Sequence, residues 1–346
     1  MLPLFNHHFS NGKLQDNWFQ LLYDLCLASL IYNLSTFNFH YICFYLLYHQ
    51  LWFSQALLSS RYAMHPFIDS IIQLIQFMFI SIAAMLNIDS DPEYILLLTI
   101  GFIVGKLSII IPYFIVICFY PKEHLRIMLP FAIAVAFEIT LWIISYFHGY
   151  HLIYWTIGTV LEKLACIFAL ASDLPTSYSY FNDRIGVFTV SLLGLALFTL
   201  TTGYNLETVF SINLMLRLLL YTILTISFWH NYFYCSRYDD IENVFALKLA
   251  WIFTQLLLHF SMSFYGTSIY YSVASISGIL IFTSIANSLD INPDKRLKLI
   301  ARIIVAIISI SLGVTVENEL ILLSIITTLF VCLMGIEHLL FMRVGR

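Results

Sequence analysis

The stretch from Phe181 to Gly203 narrows the folds open to this chain more than any other. Asp183 and Arg184 form a polar edge, and about 18 apolar or weakly polar residues then follow without a charge, enough helix to cross hydrocarbon. Runs of the same kind fill the sequence. Sixty per cent of the 346 residues are hydrophobic and ten per cent charged, against roughly 45–50% and 25% in soluble proteins. Too few polar residues remain to coat a soluble core of this size. A net charge of −4 carries no nucleic-acid signature.

Twelve spans are predicted. The first six are about 18–37, 39–58, 67–87, 93–119, 125–147 and 150–171; the second six are about 185–203, 208–235, 244–265, 267–289, 298–316 and 319–342. Helices are expected because each lipid-exposed amide must be satisfied within its own segment, and the alternating pattern of barrel strands is absent. The expected organisation is a cytoplasmic segment 1–17, a six-helix repeat 18–171, a cytoplasmic connector 172–184, a second six-helix repeat 185–342 and a cytoplasmic tail 343–346. The first 17 residues lack a basic region and a small-residue cleavage site, so the first span is expected to stay. The six cysteines are scattered through apolar runs, which argues against a disulfide framework or a thiolate metal site.

Charge placement orients this arrangement. With the amino terminus cytoplasmic, one face holds 13 of the 16 basic residues: Lys13, Arg61, Lys122, Arg126, Arg184, Arg237, Lys248, Lys295, Arg296, Lys298, Arg302, Arg343 and Arg346. The other face carries only acids, namely Asp89, Asp91, Glu93, Glu207, Glu317 and Glu319. Positive charge stays inside, so both termini are expected in the cytoplasm and the chain in the cell (inner) membrane.

Three signatures recur at nearly constant offset. Ser60-Arg61-Tyr62 returns as Ser236-Arg237-Tyr238, 176 residues on; Pro121-x-x-x-Leu125-Arg126 returns as Pro293-x-x-x-Leu297-Lys298, 172 on; Glu162-Lys163-Leu164 returns as Glu337-His338-Leu339, 175 on. Units of six spans insert with the same orientation, so the expected repeats are parallel, related by an axis along the membrane normal. A duplication of this kind serves a carrier or merely builds a large bundle; symmetry specifies no activity.

Charges inside spans mark candidate sites, since one at the bilayer centre costs about 2.5–3.5 kcal/mol on insertion scales and must find a partner. Lys106 and Glu138 share a depth on consecutive antiparallel spans and are the first candidate ion pair, as a structural staple or as a functional site. Asp24, Glu162 and Lys163 complete the expected charge system. Arg217 has a stem long enough to reach the headgroups. Asp69, Gln73 and Gln76 form one polar stripe at helical spacing, and Lys248, Gln255 and His259 another. Two such stripes suit a hydrated pathway or ordinary interhelical hydrogen bonding. His259 titrates near neutrality and suits proton coupling, or packs as a hydrogen-bonded core residue. Catalytic, cofactor and metal motifs are absent from the sequence. Trp18, Tyr41, Tyr94, Tyr120, Tyr150, Trp155 and Tyr204 fall near span ends and are expected as interface anchors, as are Trp52 and Trp229, with a substrate cage the alternative for that last pair.

Several motifs together resemble the bacterial low-temperature-requirement A (LtrA) proteins. They are Trp18-Phe19-Gln20-Leu21-Leu22-Tyr23-Asp24-Leu25, Trp52-Phe53 through Arg61-Tyr62, Asp183-Arg184-Ile185-Gly186-Val187-Phe188-Thr189, and Leu258-His259-Phe260. One departure is clear: the family's Gly-Glu pair in the seventh span is Gly194-Leu195 here, and the repeat aligns Leu195 with Asp24. The resemblance implies an integral membrane protein linked to growth in the cold.

The expected function is secondary transport of a small polar or ionic solute, by rocking of two six-helix halves. Its candidate site is Asp24, Lys106, Glu138, Glu162, Lys163, Gln76, Gln255 and His259; Arg61, Asp183, Arg184 and Arg237 are the candidate cytoplasmic gate or family motif. The alternative is a non-transporting bundle that supports membrane assembly or lipid state at low temperature. A third reading, an enzyme acting on lipid near Asp24, Asp69, Asp183 and Arg184, lacks any recognised catalytic spacing. Partners are then membrane lipid and the solute, with no nucleic acid and no cofactor, and no sequence feature sets an oligomeric state.

Overall fold

The computed structural model describes residues 5–6, 18–32, 34, 39–61, 63–64, 66–85, 92–119, 122–171, 178–202, 211–235, 245–263, 265, 269–288 and 293–344. Among them are twelve helices, one for each expected span. They are α1 (Trp18–Tyr32), α2 (Phe39–Arg61), α3 (Pro66–Met85), α4 (Pro92–Phe119), α5 (Lys122–Phe147), α6 (Leu152–Ala171), α7 (Tyr178–Thr202), α8 (Ile212–Cys235), α9 (Phe245–Met262), α10 (Ile269–Ser288), α11 (Pro293–Thr315) and α12 (Glu319–Val344). A two-residue antiparallel ladder pairs β1 (Phe5–Asn6) with β2 (Ala63–Met64). Six helices, α4 to α8 and α12, contain stretches long and apolar enough to cross a membrane.

The helices are inside-out by the standard of a soluble protein. On α5, Glu138 is 0% exposed while Ile133 and Phe137 on its other faces are 59% and 46% exposed. On α4, Lys106 is buried and Ile100, Val104 and Ile111 are exposed. Water would reverse that preference. Large apolar side chains facing outward and ions facing inward mark a membrane protein.

The chain divides into two compact units, residues 1–187 and 188–346, with the boundary inside α7. In the first unit α2 is the central helix, and nearly every side chain from Tyr41 to Arg61 is buried. It packs against α1, α4 and α6; α3 packs on α1 and α4, and α5 on α4 and α6. In the second unit α8 packs on α10 and α12, α9 on α10, and α11 on α10 and α12. Numbering each set from α1 and from α7, both contain contacts of the second helix with the fourth and sixth, the third with the fourth, and the fifth with the fourth and sixth.

Some expectations need correcting. The connector expected at 172–184 is shorter, because α7 already begins at Tyr178. Phe181 is buried edge-on against Phe53 at 5.6 Å, which holds this early turn in the helix. Arg61, Arg184, Lys248 and Arg302, grouped with the basic residues of one face, are buried among side chains rather than exposed. Trp155 and Tyr41 are core residues rather than interface anchors. Trp155 stacks on Trp142 at 5.3 Å and meets Phe102 edge-on at 5.3 Å. Trp52 is likewise fully buried.

The joint between α5 and α6 fixes how these two helices lie against each other. Gly149 (φ 83°) and Tyr150 (φ 62°) both take the left-handed conformation that ends a helix sharply. The Tyr150 amide donates to the Ser145 carbonyl at 2.8 Å, and the His151 amide donates to Ser145 Oγ at 3.0 Å. The chain therefore reverses within a few residues, and α6 runs back along α5.

Candidate functional site

Glu138 and Glu162 each stand twelve residues from Tyr150, one on each arm of this hairpin. At 1.5 Å per residue both lie about 18 Å from the turn, so the two acids stand at one level of the hairpin. The arms approach closely because Gly158 has no side chain: a Cβ there would stand 3.0 Å from Glu138 Cα. Lys106, halfway along α4, reaches in from the third side. Its Nζ lies 3.3 Å from Glu138 Oε2 and in direct ion-pair contact with Glu162 Oε2. All three side chains are at most 1% exposed.

Hydroxyls complete the shell. Thr159 donates to Glu138 Oε1 at 2.9 Å, and Ser54 of α2 donates to Glu162 Oε1 at 2.7 Å. Gln50 Nε2 donates to Ser54 Oγ at 2.9 Å and lies 3.4 Å from Cys166 Sγ. Lys163 faces elsewhere. Its Nζ sits 2.9 Å from His49 Nδ1 and 5.1 Å from the centre of the Phe53 ring, with no carboxylate in ion-pair reach among the described residues.

Asp24 belongs to a second network in the same unit. Its Oδ1 accepts from Arg184 Nη2 at 2.7 Å and from the Trp52 indole at 2.9 Å. Gln20 extends it, accepting from Tyr180 at 2.6 Å and from Arg184 at 3.3 Å while donating to Asp69 at 3.3 Å. Asp69 also accepts from Gln73 at 2.8 Å. The two networks meet at Trp52, whose ring lies edge-on to His49 at 5.5 Å. Gln76 stands apart, donating to Gln55 at 2.9 Å and Ser108 at 3.2 Å. The Asp69–Gln73–Gln76 stripe is thus engaged by hydrogen bonds within the first unit.

The other expected residues scatter. Arg61 donates to the Ala169 carbonyl. Asp183 is exposed on α7, and Arg237 lies outside the described residues. In the second unit His259 Nε2 lies 3.0 Å from Thr189 Oγ1, with the Phe188 ring edge-on at 5.1 Å. Gln255 is buried with neither amide atom hydrogen-bonded among the described residues. Lys248 is buried on α9.

Sequence reasoning missed Arg302, which grips Glu337 through Nε at 2.5 Å and Nη2 at 2.9 Å. It also missed His49, Gln50, Ser54, Thr159 and Gly158. The available signal was α2 itself, whose many polar residues spread around every face and form no stripe.

The triad and the lysine–histidine pair can hold and exchange small charge: two acids and two lysines, all buried. No protein-family model, curated protein or solved structure matches the chain.

Proposed function

We propose that this chain is a twelve-span protein of the cell membrane, built from two parallel six-helix repeats with both termini cytoplasmic, that carries a small polar or ionic solute. The observation that supports transport most is Lys106 set between two fully buried carboxylates. A staple needs one acid for one base. A second acid adds desolvation cost without adding a partner, which suits a site whose occupancy changes. The recurrence of five helix–helix contacts in both units supports the repeat reading. The resemblance to the low-temperature-requirement A proteins rests on its motifs alone.

Purified protein in vesicles tests this. Uptake of some ion or polar solute above empty vesicles is expected, and Glu138→Gln is expected to reduce it to the empty-vesicle level. No flux across a broad panel would overturn the carrier and favour the non-transporting bundle. That alternative draws on the same observation: a dense buried network also rigidifies a helix bundle.

A further inference from the structure

The acid pair contains a chemical demand of its own. The Glu138 and Glu162 carboxyl groups converge on one ammonium, each setting its Oε2 against Lys106 Nζ. Two carboxylates set side by side on one cation cannot hydrogen-bond each other, because each accepts and neither donates. With both ionised, the buried Glu138 Oε2 keeps its 3.3 Å ion-pair contact but has no hydrogen-bond partner among the described residues. One proton placed between the acids satisfies that oxygen and removes a like-charge contact. Charge counting agrees: Lys106 cancels one negative charge, and the shared proton cancels the other.

The neighbouring basic pair accounts for where such a proton can go. Lys163 and His49 hydrogen-bond each other, Lys163 has no carboxylate in ion-pair reach among the described residues, and the Phe53 ring face is placed to receive a cation. If Lys163 is neutral and the acids share a proton, the cluster has no net charge. If the proton leaves a carboxyl oxygen and bonds to Lys163 Nζ, the acids go from −1 to −2 and the lysine from zero to +1. The sum is again zero. A dry interior tolerates both states, because neither leaves uncompensated charge. Among the described residues, Tyr45 beside His49 and Cys166 beside Ser54 are further titratable groups against the cluster.

We infer that Glu138 and Glu162 bind one proton between them and exchange it with the Lys163–His49 pair, so that the ion this protein handles is the proton. The inference rests on the carrier reading for its purpose, but the bound proton is detectable without transport.

Infrared spectroscopy of the protein in phosphatidylethanolamine–phosphatidylglycerol vesicles detects a protonated carboxyl by its C=O band and its shift in heavy water. Wild type should show this band at neutral pH. Glu138→Gln and Glu162→Gln should each abolish it, since a single acid beside Lys106 is neutral without a proton. In Lys163→Met the band should persist to higher pH than in wild type, because the released proton has lost its acceptor. Glu337→Gln should leave it unchanged. Absence of the band in folded wild type, or its survival in both glutamine variants, overturns the proton site. A pH-sensitive dye inside the same vesicles reads flux driven by an imposed potential. A band with this behaviour but no flux upholds the proton site and removes the carrier; solute flux without the band does the reverse.

Discussion

Each unit contains a fully buried ionic contact, and the two solve the same problem differently. In the second unit Arg302 meets Glu337 with two N–H···O bonds, from Nε and Nη2 to the two carboxylate oxygens. The planar guanidinium matches the carboxylate fork, so charge and hydrogen bonds close together. In the first unit a point-charged lysine is shared by two acids on two helices, and a second lysine next door has no acid in ion-pair reach among the described residues. The first arrangement pairs opposite charges through two hydrogen bonds and resists change. The second has one more acid than its lysine can serve, and that surplus separates a fastener from a place where charge can come and go.

Removing the lysine should test this contrast most severely. Lys106→Met strands two carboxylates and is expected to cost about 3–5 kcal/mol, the penalty for breaking a buried pair. Arg302→Met strands only one and should cost less. Thermal unfolding read by a thiol-reactive dye suits both, because Cys43 and Cys166 are buried in the fold. An Arg302→Met loss equal to or above that of Lys106→Met would break the comparison.

A gentler change sharpens it. Arg302→Lys keeps the charge but loses the fork, and should cost about 1.5–3 kcal/mol, as expected for a charged hydrogen bond. If the same assay gives no loss, bidentate geometry is not what secures the second unit.

Glycine substitutions compare packing around the two sites. Gly158→Ala pushes a methyl group to 3.0 Å from Glu138 Cα and should destabilise by about 1–3 kcal/mol. Gly335→Ala meets nothing within 4 Å and should leave the unfolding temperature unchanged or raise it. The infrared carboxyl band should move in the first variant and stay in the second.

A small loss is expected at His259. Thr189→Val removes its 3.0 Å hydrogen-bonding neighbour and should cost about 0.6 kcal/mol, typical of polar contacts between membrane helices. Transport should survive. Loss of proton flux in a stably folded Thr189→Val protein would move the working site to the second unit.

Much of this architecture could be read in the residues beforehand, for a physical reason: long charge-free runs leave the backbone little choice but helix. Lys106 and Glu138 could be matched by depth alone, since consecutive antiparallel helices align residues symmetrically about their loop. Glu162 as a second partner could not, because choosing between neighbours requires side-chain direction. His49 and Ser54 were hidden further, meeting partners more than a hundred positions away from a helix with no polar face. The burial of Arg302 was harder to read, because α11 begins at Pro293, before its predicted span at 298, and so carries the arginine further along the helix. Trp155 was misread because an aromatic at a helix start suits an interface and a core equally well.

The corner formed by Gly149 and Tyr150 governs a site it never touches. One residue inserted there would turn α6 by about 100° and shift it by about 1.5 Å. Glu162 would swing away from Lys106, and an apolar neighbour would take its place in the interior. The spacing of the acids is therefore written in the length of a water-facing bend, and an edit at that distant point would disarm the centre while leaving every helix intact.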